Sequence, residues 1–234
     1  MGRRPTVVQL PASVRVAGKP VIYCEGGDGG HENNYLRQLV TSDIIQDYQK
    51  GTRSPATDVA LRIKQIRADL ENDAIEQIIW IVDGGDEYIK TSKEFIAFYT
   101  DWQIKRADDG WKKLRILINH PCFEYWLLLH KCDAPVDAKG NAVLFLDAAA
   151  LYKYVDFKGA FPGFNKDNSV YMKKLIEAAA ADKQGRNLAI ERAKALASLA
   201  AQTSGKNLLK TSRAEMFELF DEDSSACIKT KRLW

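Results

Sequence analysis

The chain has 234 residues, of which 46% are hydrophobic and 28% charged. These ordinary globular values exclude disordered and fibrous classes, and a chain of this length buries a core without disulfide or metal staples. The formal net charge of +3 is too small to identify a partner. The four cysteines lie far apart or in apolar stretches, as in proteins with reduced thiols, and no apolar run approaches the roughly 18 residues of a membrane span. We therefore expect a cytoplasmic protein without a membrane partner.

The first part of the chain alternates short apolar segments with helical patterns. Thr6–Leu10 and Ser13–Ala17 have the pattern of edge strands, and Pro20–Cys24 that of a buried strand stopped by a glycine cluster. Apolar residues at helical spacing predict a helix over Glu32–Lys50. A serine followed by a proline predicts that a second helix begins at Ser54.

Two further apolar runs have the length and composition of strands buried on both faces. They are Gln77–Val82, which stops at an Asp-Gly-Gly-Asp turn, and Leu114–Ile118. Between them, Thr91 and Glu94 form a capping box that predicts a helix, and another helix is predicted over Cys122–Lys131. Helices that alternate with buried strands indicate an α/β protein with a mostly parallel central sheet flanked by helices.

Beyond Asp133 the pattern becomes mainly helical and rich in alanine. The predicted helices cover Phe145–Tyr154, Asn168–Ala181 and Asn187–Ala201, and Ser212 with Glu215 caps one more. Because no stretch has the length or composition of a linker, we predict a single domain over residues 1–234. In it, residues 1–133 form the α/β core and residues 134–234 a helical C-terminal extension that packs onto the sheet.

Acidic side chains follow two of the predicted strands. Glu25 follows the first buried strand and Asp83 the second. Ligands of open α/β sheets bind at the carboxyl ends of the strands, so neighbouring strands would direct both acids into one crevice. Two carboxylates about 4 Å apart repel by about 4 kcal/mol at an effective dielectric near 20, which protons or a divalent cation would relieve. Hard oxygen ligands favour Mg²⁺ or Mn²⁺, and the adjacent glycines would let a phosphodiester approach the backbone.

Simpler interpretations remain open for these residues. Acids often follow strands because strands end at the surface in Asp-Gly turns. The glycines between Gly26 and Gly30 lack the Gly-Lys-Ser/Thr of a P-loop. Zinc is disfavoured, because Cys122 and His130 would lie about 12 Å apart along a helix. His130 is expected to reach water or the last carbonyls of its helix. Glu124 would be buried and needs a partner, either a neighbouring loop or the site itself.

Three segments resemble a known family. Residues 21–26 (Val-Ile-Tyr-Cys-Glu-Gly), followed by Glu32-x-x-Tyr35, resemble the opening of RloB-like proteins. Residues 119–130 (Asn-His-Pro-Cys-Phe-Glu-Tyr-Trp-Leu-Leu-Leu-His) resemble the most distinctive segment of the family, with His120 as an insertion. Residues 164–166 (Phe-Asn-Lys) are similar to its aromatic-x-Lys element.

The resemblance implies a Toprim-like (Rossmann-like) fold, as in topoisomerases, primases and OLD-type nucleases. In such proteins a Glu after the first strand and an Asp pair after a later strand hold Mg²⁺ for phosphodiester chemistry. Carried over, Glu25 would be the first-motif acid and general acid/base, and Asp83 the principal metal ligand of the second motif. We expect Asp86 to join them as a metal ligand and Lys166 to assist. The family also resembles components of bacterial anti-phage and abortive-infection systems that act beside an ABC-type ATPase partner.

Two departures leave the function open between two hypotheses. Glycines occupy two positions of the second acidic motif, so that Asp83 and Asp86 are three residues apart rather than two, and the loop after Glu25 is about two residues longer than in the family. Asp28 in that longer loop is an alternative ligand to Asp86. The first hypothesis is a Mg²⁺- or Mn²⁺-dependent nuclease that cleaves DNA or RNA, with tRNA among the candidate substrates, as a defence effector. The second is a catalytically degraded Toprim-like binding or assembly subunit that works with an ATPase.

The distribution of charge is compatible with a nucleic-acid partner. Residues 1–20 contain basic but no acidic side chains, the tail is basic, and Lys and Arg outnumber acids between Val170 and Arg213. Such stretches attract phosphate backbones, although solvated helix faces have the same composition. The sequence leaves the oligomeric state open.

Overall fold

A computed structural model of the chain describes residues 18–24, 30–51, 58–203, 212–221 and 224–228. The edge strands predicted at Thr6–Leu10 and Ser13–Ala17, the residues Glu25 and Asp28, and the helix start predicted at Ser54 lie outside these ranges. None of the described helices combines the length and the apolar character that crossing a membrane requires.

The described chain contains a five-stranded central sheet with the strand order β2-β1-β3-β4-β5. The first four strands are parallel and the fifth is antiparallel to β4. Their bounds are Val21–Tyr23 for β1, Gln49–Lys50 for β2, Ile78–Asp83 for β3, Leu114–His120 for β4 and Arg213–Ala214 for β5. The predicted α/β class with a mostly parallel sheet flanked by helices is therefore confirmed.

The three apolar runs of the sequence form the three inner strands, because each is bounded by polar or glycine residues and is buried on both faces. All residues of β1 and β3 are buried, and in β4 only Arg115 is partly exposed. The helices are α1 (His31–Thr41), α2 (Val59–Leu70), α3 (Glu87–Thr91), α4 (Lys93–Lys105), α5 (Phe123–Leu129), α6 (Ala148–Lys153), α7 (Val155–Ala160), α8 (Ser169–Ala181) and α9 (Lys183–Thr203).

The core has two apolar layers, one on each face of the sheet. On one face, Ile22, Ile79, Ile81 and Leu117 pack with α1, α5, α8 and α9. On the other, alternate residues of the same strands, including Trp80 and Ile116, pack with α2 and α4. Side chains of a strand point alternately to the two faces, so these clusters define which face each later strand residue meets.

The helix predicted over Glu32–Lys50 is correct only in its first half. It ends at Thr41, and Asp43 takes a left-handed backbone conformation with φ of 53°, which breaks the helix. Gln49–Lys50 pair with β1 instead. Ile44 and Tyr48 still pack on the core, which explains why their spacing resembled that of a helix.

Several helix starts also differ from prediction because other side chains provide the caps. Asp58 caps α2, accepting a hydrogen bond of 2.8 Å from the Leu61 amide. Ser92, one residue after Thr91, caps α4. At the end of the chain Ser212 caps no helix, since its hydroxyl accepts a hydrogen bond from the Phe145 amide.

The C-terminal extension does more than cover the sheet. Helix α8 packs against α1 and α9 packs against α5. After α9, the chain forms β5 beside Asn119 and His120 of β4, and a short 3-10 helix, Glu215–Leu219, follows. Residue Ile228 then accepts a hydrogen bond of 2.8 Å from the Gln46 amide, close to the opposite edge of the sheet. The extension therefore contributes a strand to the sheet, which the sequence patterns did not indicate.

Candidate active site

The carboxyl ends of β1 and β3 lie side by side, because the two strands pair in parallel. Asp83 is the last residue of β3 and only 6% exposed. Glu25 follows β1 directly after Cys24, but it lies outside the described residues. The meeting of Glu25 and Asp83 thus stays a prediction, whereas the condition on which it rests, that their strands are neighbours, is met.

Asn119 is the partner of Asp83 on the neighbouring strand. The two residues are in register between β3 and β4. Each lies two positions after a residue of the α1 and α5 layer, Ile81 or Leu117, so both side chains point to that same face of the sheet. Asn119 is 0% exposed, and neither its amide oxygen nor its amide nitrogen has a hydrogen-bond partner among the described residues. A buried amide without a partner costs free energy, and a ligand or a bound water would satisfy it.

Glu124 lies close to these strand ends, in the first turn of α5, and is only 1% exposed. Its Oε1 atom is 3.0 Å from His31 Nδ1 and 3.5 Å from Lys166 Nζ. Burial alone would raise the pKa of Glu124, but the hydrogen bond from His31 and the charge of Lys166 outweigh burial and lower it to about 2. Glu124 is therefore an ionised acid that draws together the start of α1 and the loop before α8.

Lys166 is the cationic group of this cluster. Its side chain is 43% exposed, so it contacts both Glu124 and solvent. Partial burial lowers the pKa of Lys166, but the negative charges of Glu124 and Asp83 raise it more, and the ammonium stays protonated. The electrostatic influence of Asp83 on Lys166 means that two of the predicted site residues are brought into one neighbourhood.

A second buried acid, Glu32, lies next to His31 in α1. Burial is the largest cause that raises its pKa, and the charge of Glu124 adds to it, so that the pKa reaches about 7. Near neutral pH, this carboxyl is thus protonated in part of the molecules.

Cys122 and Tyr152 complete the cluster as neutral groups. The Cys122 sulfur is 3.8 Å from the Tyr152 hydroxyl. Burial, together with the nearby Glu124, raises the pKa of the Cys122 thiol and of the Tyr152 phenol, so neither is ionised near pH 7. Cys122 is therefore unsuited to act as a thiolate nucleophile or as a zinc ligand.

The turn after β3 is closed rather than open to a ligand. A Cβ on Gly84 would lie 2.8 Å from Ile118 Cγ2, and one on Gly85 would lie 2.3 Å from the carbonyl oxygen of Pro121. The amide of Gly85 also donates a hydrogen bond of 2.8 Å to Pro121 O. The expectation that these two glycines admit a phosphodiester is therefore wrong, because the end of β4 occupies the space over them.

Asp86 lies at the other end of this turn, three residues after Asp83. It is partly buried and stands before the first turn of α3, and its amide donates a hydrogen bond of 3.2 Å to the Asp83 carbonyl. Its side chain makes no capping hydrogen bond to the helix. The role of Asp86 as a metal ligand stays a prediction.

No group of three or more His, Cys, Asp or Glu side chains within the described ranges is arranged to hold a metal. His130 is buried and its Nε2 lies 3.3 Å from the Tyr35 hydroxyl, so the expectation that it reaches water or the helix carbonyls is wrong. Burial lowers the pKa of His130 to about 3, which leaves the ring neutral.

Comparison with known proteins assigns the chain to a family. The family model described as RloB-like protein matches residues 21–222. The chain belongs to the RloB-like family. The matched range includes Glu25, Asp83, Asp86 and Lys166 of this RloB-like protein. Neither the curated proteins nor the solved structures gave a match.

Sequence patterns missed several residues of this RloB-like site. Asn119 opens the most distinctive segment of the resemblance, and Glu32 opens the Glu-x-x-Tyr element, so both had a signal that drew no chemical interpretation. His31 and Tyr152 had none, because their roles depend on long-range packing against Glu124 and Cys122. Glu124 contacts the start of α1 and the loop before α8, so its role as a partner of a neighbouring loop and its role in the site both stay predictions.

Proposed function

We propose that this RloB-like protein is a divalent-metal-dependent nuclease of the Toprim type and that it acts in the cytoplasm as an effector of bacterial anti-phage or abortive-infection defence. The observation that carries the proposal is the position of Asp83. It ends a central strand, beside the strand that leads into Glu25 and in register with Asn119. Parallel strand ends of this kind are where α/β enzymes bind their ligands.

The residues at this sheet edge fit a hard cation. Asp83 and Asn119 offer carboxylate and amide oxygens from adjacent strands, which are the donors that Mg²⁺ and Mn²⁺ prefer. The buried Asn119 side-chain amide has no hydrogen-bond partner in the described chain, as expected of a group that binds an ion or a water molecule. Glu25, Asp83 and Asp86 would hold the metal, with Asn119 as an additional oxygen donor. A metal bound there would polarise a phosphoryl oxygen and lower the pKa of a coordinated water.

The Glu124 cluster would position and neutralise the substrate. Glu124 fixes Lys166 by an ion pair while part of the lysine stays in contact with solvent. From this position, Lys166 would place its positive charge against a phosphate whose charge grows during cleavage. Glu25 would serve as the general acid or base. The partly protonated Glu32 lies one residue from His31 and provides a second group able to transfer a proton.

The alternative is a binding or assembly subunit that acts with an ABC-type ATPase. The observation that favours it is the packed turn of Gly84 and Gly85, which separates Asp86 from Asp83 and places a glycine where the family pattern has the second acid of the pair. In this case the fold would be retained for binding nucleic acid or protein.

The test is cleavage of tRNA, single-stranded and duplex substrates with Mg²⁺ or Mn²⁺ by the purified full chain. We expect Asp83→Asn and Glu25→Gln to abolish cleavage, whereas Asp73→Asn, a matched change of an exposed aspartate, leaves it intact. Calorimetry with Mn²⁺ alone should show weaker binding for Asp83→Asn and Asn119→Ala. Cleavage that survives both acid substitutions excludes the assigned site. Absence of cleavage on every substrate, together with cellular toxicity that does not depend on either acid, supports the assembly subunit.

A further inference from the structure

An aromatic pocket lies beside the candidate active site. Its volume is about 580 Å³, and it is an open pocket lined by α6, α7 and the loop that leads to α8. Four aromatic side chains form most of its wall: Tyr152, Phe157, Phe161 and Phe164. This volume is within the range of about 300–1,000 Å³ that is typical of ligand sites.

The pocket and the candidate active site share two residues. Lys166 lines the pocket, and its Nζ is 3.5 Å from Glu124 Oε1. Tyr152 also lines the pocket, and its hydroxyl is 3.8 Å from Cys122 Sγ. If a ring were bound among these aromatic side chains, the groups attached to it would lie near Lys166, beside Glu124.

The wall of the pocket is suited to a flat ring. The Phe164 ring is partly exposed and lies 4.8 Å from the Tyr152 ring and 4.9 Å from the Phe157 ring, so its neighbours fix its orientation. Aromatic faces stack on nucleobases of any sequence. An apolar wall held in this way binds a planar ring without requiring a new arrangement of side chains.

The charged side chains at the rim of the pocket indicate which chemical groups a bound ring would carry. Lys158, which is exposed, and Lys166 are positive, whereas Asp167 is the one acid among the lining residues. Asp167 disfavours a free anion inside the pocket. Two lysines beside an aromatic floor instead complement a base that carries phosphates on its flanks, as in a nucleic-acid strand.

We propose that this pocket binds one unpaired nucleobase of a nucleic-acid strand whose adjacent phosphodiester lies at Lys166. A base within a duplex is stacked on both faces and paired at its edge, so it would have to leave the helix before it could reach Phe164. The substrate is therefore single-stranded, or locally opened, next to the cleaved bond. This inference rests on the proposed nuclease function, which it deepens by naming the substrate class.

The test measures binding separately from cleavage. The full chain with Asp83→Asn is titrated, in EDTA, into a fluorescent single-stranded oligonucleotide and into a blunt duplex of the same sequence, and anisotropy is followed. We expect the single strand to bind at least tenfold more tightly. Phe164→Leu, which keeps an apolar side chain but removes the π-face, should weaken single-strand binding about fivefold or more, since each base–aromatic stack contributes about 1–3 kcal/mol.

Two lysine substitutions form a matched pair. Lys158→Gln should weaken binding several-fold, whereas Lys174→Gln, an equal change of charge at an exposed position of α8, should leave it unchanged. Both lie on the surface, so the comparison holds even if Phe164→Leu fails to fold, which a melting curve would reveal. Equal binding by wild type, Phe164→Leu and Lys158→Gln overturns the pocket, as does equal affinity for single strand and duplex. So does a preference for aromatic peptides over oligonucleotides in competition.

The outcomes separate the pocket from the catalytic proposal. If binding depends on Phe164 and Lys158 but the wild type cleaves nothing, the pocket stands and the nuclease is refuted. If cleavage by the wild type depends on Asp83 but binding is unaffected by the Phe164 and Lys158 substitutions, the nuclease proposal stands and the pocket proposal is refuted.

Discussion

Replacing Glu32 with glutamine should change how the stability of the protein depends on pH. Glu32 is buried near Glu124, and its pKa of about 7 in the folded protein compares with an ordinary value of 4.5. Between these two pH values the folded protein keeps a proton that the unfolded chain has lost. The free energy of unfolding therefore falls as the pH rises from about 4.5 to about 7, and it stays reduced at higher pH.

The size of the effect follows from the difference between the two pKa values. One pKa unit corresponds to about 1.4 kcal/mol, so the step from 4.5 to about 7 amounts to about 3 kcal/mol. Glutamine is neutral in both states and avoids this loss. The stability of Glu32→Gln relative to the wild type should thus increase by about 3 kcal/mol between pH 4 and pH 8. Glu215 also has a raised pKa, but it is present in both proteins and cancels in the comparison.

Urea unfolding at pH 4, 5, 6, 7 and 8 measures this difference directly. Glu191→Gln, on the exposed side of α9, is the matched control and should change stability by the same small amount at every pH. If the difference between Glu32→Gln and the wild type does not vary with pH, Glu32 is not a buried acid of raised pKa. Neither burial nor the charge of Glu124 would then raise the pKa of Glu32.

Three further predictions concern packing, the ion pair and the thiols. Gly85→Ala should lower the free energy of unfolding by about 1–3 kcal/mol, because its Cβ would lie 2.3 Å from Pro121 O. Gly159→Ala, whose Cβ would meet no atom within 4 Å, should not lower it. Melting temperatures distinguish the two variants, and equal values contradict the packed turn. Glu124→Gln should cost about 1.5–3 kcal/mol near pH 7, because the histidine and lysine beside it lose an ionised acceptor. This loss should fade in urea titrations as the pH falls from about 4.5 toward 2, where Glu124 itself takes up a proton, and a loss as large at pH 2.5 would refute the lowered pKa. Cys122 should resist iodoacetamide at pH 8 until urea unfolds the protein, because its thiol is buried and has a raised pKa. Mass spectrometry of the peptide that contains Cys122 measures the labelling, and rapid labelling of the native protein would contradict its burial.

The inner strands were predictable from the sequence because burial on both faces leaves a continuous apolar run. This holds for β1, β3 and β4. Strands β2 and β5, of two residues each, have no such signal, since they form only where the rest of the chain presents a strand to pair with. The end of α1 was missed for a related reason. Its apolar spacing continued through Tyr48 although the backbone turned at Asp43.

The site was predictable only where chemistry follows an element boundary. Asp83 could be placed because acids at the carboxyl ends of parallel strands have a defined position, and Lys166 because a motif marked it. The partners of Glu124 could not, since His31 and Lys166 come from segments far away in the sequence. The glycines of the second acidic motif and the inserted His120, which both depart from the family pattern, lie close together. Gly85 packs on Pro121, the residue directly after the inserted His120.

The fifth strand has a consequence for how the protein is made. Asn119 and His120 acquire their outer strand partner from Arg213–Ala214, and the Ile118 amide donates a hydrogen bond of 2.7 Å to the Glu215 carboxylate. During synthesis the chain from β1 to α9 therefore leaves the ribosome before the edge beside Asn119 is covered. A nascent chain that stops short of Ser212 exposes that edge to pairing with other chains. The sheet edge beside the candidate catalytic centre is thus covered only late in translation.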